Sequence, residues 1–222
     1  LWLLSILAIG VGLPFFAVSA TAPLLQAWFA RTGHAQSADP YFLYGASNAG
    51  SLIALMAYPL LIERTLGLSD QSIVWSTGFA VLAVLIAACG TLMFLARGTI
   101  AEAAPAHVSG VDAAPISNAK RATWVALATI PSGLMTAVTT YITTDIASAP
   151  FIWVVPLSLY LLTFILVFRD KLVFSYTAVQ NLLPLAILPL ILFPGNVYAA
   201  PLAVVAFFFA ALLCHRELYL RR

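Results

Sequence analysis

Seven apolar runs, each about as long as a lipid bilayer is thick, organise this sequence of 222 residues. A hydrocarbon core about 30 Å thick takes roughly 20 residues of α-helix to cross. Runs of that kind lie at about 2–29, 41–62, 72–96, 123–145, 149–168, 175–194 and 197–215. They are continuous. A membrane β-barrel would instead show strands of about 10 residues with apolar and polar positions in alternation, so helices are expected and the fold class is all-α, a polytopic membrane bundle. Composition agrees, because 63% of the residues are hydrophobic and 8% charged, against about 25% charged in soluble domains. Such a chain cannot cover itself with a water-soluble surface, which excludes a soluble enzyme and makes the lipid bilayer its first partner. A net charge of +2, with the charges dispersed, excludes a nucleic-acid footprint.

The basic residues predict a direction, since short loops rich in Lys and Arg stay on the cytoplasmic side. Arg31, Arg97, Lys120, Arg121, Arg169, Lys171, Arg216, Arg221 and Arg222 fall on one side of the seven runs, and Arg64 alone falls on the other. The N-terminus is therefore expected outside and the C-terminus in the cytoplasm. All five tryptophans, Trp2, Trp28, Trp75, Trp124 and Trp153, sit near predicted span ends, where amphipathic rings favour the headgroup level. An N-out start on a chain that opens with Leu1 predicts an odd number of helices upstream, so the chain is expected to be a fragment of a longer membrane domain. Residues 97–122 are rich in Ala, Pro, Ser and Gly without apolar periodicity. They read as a flexible cytoplasmic linker between a three-helix part, 1–96, and a four-helix part, 123–222.

Two spans carry polar faces. In the second, Tyr44, Asn48, Ser51 and Tyr58 recur at helical spacing. Such a face lines a solute pathway or, together with Gly45, Gly50 and the small pair Ser47 and Ser51, packs against another helix. In the fourth span Thr129, Ser132, Thr136, Thr140 and Thr143 share a face, with Tyr141 and Asp145 at its outer end. Threonine hydroxyls can return to a carbonyl one turn back and merely bend the helix, or they can wall a wet path in which Asp145 attracts a cation. Pro14, Pro131, Pro156, Pro184, Pro189 and Pro194 predict kinks, of the kind that open cavities in transporters or adjust packing.

Enzyme signatures are absent. There is no P-loop, H-E-x-x-H, G-x-S-x-G or G-x-G-x-x-G pattern. His34, His107 and His215 lie in three separate segments without ligand spacing, and Cys89 and Cys214 form no C-x-x-C pair. No metal and no cofactor is expected.

Several stretches resemble the membrane part of bacterial fused major-facilitator and spermidine-synthase proteins. They are the run from Gly12 to Phe16, that from Ser19 to Gln26, the segment from Asp39 through Tyr44, Asn48 and Ser51 to Glu63, and the segment from Thr140 to Asp145. The resemblance covers roughly residues 12–170. It implies a larger membrane domain, often followed by a soluble aminopropyltransferase-like domain. No soluble domain or nucleotide-type glycine loop stands in this chain, so synthase activity does not carry over. The resulting expectation is a multi-pass protein of the bacterial inner membrane, transporter-like and handling a small polar or cationic solute. Its substrate-binding residues would be Tyr44, Asn48, Ser51, Thr136, Thr140, Tyr141 and Asp145. The alternative is a non-catalytic accessory subunit packed among other membrane subunits.

Overall fold

The computed structural model describes residues 2–37, 39–95, 116–146, 152–168, 175–193, 195 and 198–221. Among these residues the chain is all-helical, without strands. The helical runs are α1 (Trp2–Phe29), α2 (Phe42–Thr65), α3 (Leu68–Leu95), α4 (Asn118–Asp145), α5 (Val154–Val167), α6 (Tyr176–Leu192) and α7 (Ala199–Leu220). α1, α2, α3, α4 and α7 are long and apolar enough to cross a membrane. α5 and α6, with 14 and 17 residues, fall short of the roughly 20 that a crossing takes.

Local chemistry explains where several helices start. Ser117 and Ser175 hold extended backbone, and their hydroxyls accept from the amides of Lys120 at 3.2 Å and Ala178 at 3.1 Å. Each satisfies one amide that the first helical turn leaves without a partner. The Ser117 cap starts α4 at Asn118, so residues 118–122 are helical rather than part of the expected linker. The remainder of that linker up to residue 115 lies outside the described residues.

Pro23, Pro131, Pro184 and Pro189 lie inside α-helices, and three other prolines show how a helix accommodates the ring. Pro156 stands in the first turn of α5, where the missing N–H removes no bond, so the kink expected there does not arise. Pro14 and Pro59 interrupt long helices, and each coincides with a widened π turn, Ala8–Gly12 just ahead of Pro14 and Tyr58–Ile62 around Pro59. A proline ring collides with the carbonyl four residues back, and one wide turn moves that carbonyl aside without ending the helix.

Two compact units emerge. One comprises Leu1–Leu43 with Thr65–Val111, and the other Tyr44–Arg64 with Asp112–Arg222. In the first, the Trp28 ring of α1 lies on Gly90 of α3, so close that a β-carbon on Gly90 would stand 3.0 Å from Trp28 Cη2. Phe29 meets Phe42 edge-on at 5.4 Å. No described residue of α1 or α3 is buried, and apolar side chains such as Trp2 and Leu68 are 79% and 85% exposed. Apolar faces of that extent need lipid or protein around them, as expected of a membrane protein.

The second unit is built around α7, which touches α4, α5 and α6. Phe207 and Ala211 of α7 close on Val138 and Ile142 of α4, and Leu212 closes on Val167 of α5 and Val179 of α6. Ala206 and Ala211 let the neighbouring backbones come near. Cross-helix contacts fix direction. Trp124 Nε1 donates to the carbonyl of Arg221 at 3.1 Å, and the Tyr176 hydroxyl donates to Glu217 at 2.8 Å. The starts of α4 and α6 thus lie beside the end of α7. Phe168, just after α5, meets Tyr219 edge-on at 5.1 Å and stacks on Tyr44 of α2 at 5.8 Å. Accordingly α4 and α6 run one way and α5 and α7 the other.

Candidate functional site

The residues expected to bind a solute sit on two helices of the second unit, and two of them, Asn48 and Thr136, bond their own backbone. On α2, Asn48 Nδ2 donates to the carbonyl of Tyr44 at 2.7 Å, while the Tyr44 ring lies half-buried against Phe168 and Ser51 is exposed. On α4, Thr136 donates to the carbonyl of Ser132 at 3.1 Å and Thr139 to that of Met135 at 2.7 Å. The Thr140 carbonyl receives the hydroxyls of Thr143 at 3.1 Å and Thr144 at 2.6 Å. Returning a hydroxyl one turn back satisfies it without a partner helix.

Burial nonetheless gives α4 two distinct sides. Pro131, Val138 and Ile142 are buried against α7 and its neighbours, whereas Thr129, Ser132, Thr136, Thr140 and Thr144 are exposed. Asp145 stands exposed at the C-terminal end of that hydroxyl face. Tyr141 belongs to the other side, half-buried against the Val138–Phe207 cluster. The structure therefore brings Thr136, Thr140 and Asp145 onto one uncovered face and removes Tyr141 from it.

A polar seam that sequence reasoning missed runs inward from this face. Ser132 Oγ lies 3.2 Å from the Tyr160 hydroxyl of α5. The Tyr160 ring stands edge-on to the imidazole of His215 at 5.1 Å, and Phe164 stacks on the imidazole at 3.9 Å. Thr163, fully buried, donates its hydroxyl hydrogen to the carbonyl of Tyr160 at 2.6 Å and lies 2.8 Å from His215 Nδ1. A hydroxyl has one hydrogen, so with that hydrogen on the Tyr160 carbonyl the donor of the Thr163–His215 pair is Nδ1. The ring's Nε2 is buried and has no hydrogen-bond partner among the described residues. The sequence signal was slight, a single His after an apolar run and before Arg216 and Glu217. Its mate, one of many hydroxyls, lies 52 residues away.

No group of three or more His, Cys, Asp or Glu residues among those described is arranged to hold a metal ion. Compared with known proteins, the chain matches no family model, no curated protein and no solved structure.

Proposed function

We propose that this multi-pass membrane protein moves a small polar or cationic solute along the hydroxyl face of α4, with Asp145 drawing the cation to one end. The observation that carries the reading is the two-sidedness of α4. One side packs into the α5–α7 bundle while the other presents Thr129, Ser132, Thr136, Thr140 and Thr144 uncovered. Hydroxyls line wet paths better than they meet lipid, and an acid beside the hydrocarbon core is expensive unless hydrated or paired. On this reading Tyr44, Asn48 and Ser51 of α2 line the same route. All seven apolar runs of the sequence, including 149–168 and 175–194, which contain the shorter α5 and α6, cross the inner membrane of a bacterium on this reading, with the basic ends of α4 and α7 in the cytoplasm. The resemblance of residues 12–170 to the membrane part of fused major-facilitator and spermidine-synthase proteins belongs to the same proposal.

A second reading is favoured by the self-bonded threonines. Hydroxyls already satisfied by their own helix fit a dry interface, so the same face would pack on another membrane subunit of a larger assembly. Cysteine labelling in native membranes separates the two. Thr136→Cys and Thr140→Cys, in a background with Cys89 and Cys214 replaced by Ser, should react with a membrane-impermeant thiol reagent. Val125→Cys, on an exposed apolar position, should not. If positions 136 and 140 stay as silent as 125, the pathway is wrong and the packing interface stands.

A further inference from the structure

Where α4 begins and α7 ends, the second unit holds an open cavity of about 470 Å³ lined by Ala119, Lys120, Thr123, Trp124, Leu220 and Arg221. We infer that this cavity binds the phosphate headgroup of an anionic phospholipid.

Charge is the first argument. Four cationic side chains, Lys120, Arg121, Arg216 and Arg221, occur in the described turns of α4 and α7 at this end, against one carboxylate, Glu217. The opposite end of α4 carries Asp145 instead. Glu217 pairs with Arg221 and so offsets one of the two lining cations, leaving the charge of Lys120. Oε1 accepts the Tyr176 hydroxyl, and Oε2 accepts Nε of Arg221 at 3.0 Å and pairs with Nη2 at 2.9 Å. Those bonds leave Nη1 of the guanidinium unengaged by Glu217. Lys120 projects over the Trp124 ring, 5.2 Å from its centre, and the indole N–H is tied to the Arg221 carbonyl. Trp124 thereby pins the two helix ends together and carries the Lys120 ammonium, while Glu217 holds the Arg221 guanidinium, and both cations line one cavity. A phosphate between an ammonium and a guanidinium gains charge-assisted hydrogen bonds.

Size and surroundings select a lipid as the source of that phosphate. The volume falls in the range of about 300–1,000 Å³ found for ligand sites. One wall is Leu220, 62% exposed, so acyl chains leaving the cavity meet apolar surface rather than water. A tryptophan beside two basic side chains at a helix end is also what the headgroup level of a bilayer favours.

Native mass spectrometry of the full chain, released from detergent with either phosphatidylglycerol or phosphatidylcholine, tests the assignment. Phosphatidylglycerol should remain bound where phosphatidylcholine is lost. Lys120→Gln should weaken its retention about fivefold, from about 1 kcal/mol per basic residue near a membrane surface. Thr123→Glu, which adds an acid to the cavity and removes no cation, should abolish it even if Lys120→Gln folds poorly. Equal retention of the two lipids, or phosphatidylglycerol binding untouched by Thr123→Glu, overturns the proposal. So does displacement by an equal concentration of inorganic phosphate, which would make a free phosphate the ligand instead.

Discussion

Thr163 and His215, 52 residues apart in sequence, meet at 2.8 Å in a site that leaves them 0% and 2% exposed. Because the threonine hydrogen is committed to the carbonyl of Tyr160, the bond is directional: imidazole N–H to hydroxyl, hydroxyl to backbone. The pair clasps α5 to α7 inside the second unit.

That direction makes the two partners unequal. Thr163→Val removes the acceptor and leaves a buried N–H unpaired, which costs about 1–3 kcal/mol. His215→Phe keeps an aromatic ring on Phe164, and the Thr163 hydrogen retains its carbonyl, so the loss should be under about 1 kcal/mol. Thermal unfolding of the two variants in detergent should rank Thr163→Val as the less stable, and the reverse order would refute the assigned direction.

Gly90 makes room for Trp28. Gly90→Ala sets a methyl 3.0 Å from the indole, which must shift by a few tenths of an ångström. Gly78, in the same helix, has nothing within 4 Å of its would-be β-carbon. Gly78→Ala should therefore gain the helix preference of alanine, about 0.5–1 kcal/mol, and Gly90→Ala should gain less and alter Trp28 fluorescence. Equal unfolding temperatures and unchanged emission in both variants would show that Trp28 does not rest on Gly90.

Thr136 returns its hydroxyl to its own helix, so Thr136→Val should change stability by no more than about 0.5 kcal/mol. Under the transport reading it should nonetheless slow uptake of a labelled small organic cation into proteoliposomes. Normal uptake would remove Thr136 from the path.

Asp145 is the one acid of α4 and stands exposed at its end. Asp145→Asn keeps shape and loses charge, so the dependence of uptake on an imposed cation gradient should disappear while the protein folds as before. Uptake that still follows the gradient would exclude Asp145 as the cation site.

The helices were legible one by one because each depends on nearby residues. The expected run at 2–29 coincides with α1, and four of the five hydroxyls that spacing places on one face of α4 are exposed, Thr143 being half-buried. α7 exceeds its expected end. Apolarity stops at His215, ahead of Arg216 and Glu217, yet the helix runs to Leu220. Its charged last turns are held by partners on the same and another helix: Arg221 and Tyr176 for Glu217, and the Tyr176 ring for Arg216, 5.2 Å away. A reading that ends a span at the first charge cannot see a charge that is paired.

Sequence alone determined that this chain is helical and too apolar for water, because backbone hydrogen bonding and hydrophobicity act within one segment at a time. Tertiary structure decided what each helical face is for. It turned Tyr141 toward the packed side and left Thr136 bare on one helix, seated a histidine against a threonine 52 residues away, and gathered the charged ends of α4 and α7 around one cavity. Those outcomes depend on which helix comes to lie beside which, and that is settled by the packing of small and aromatic side chains across the bundle.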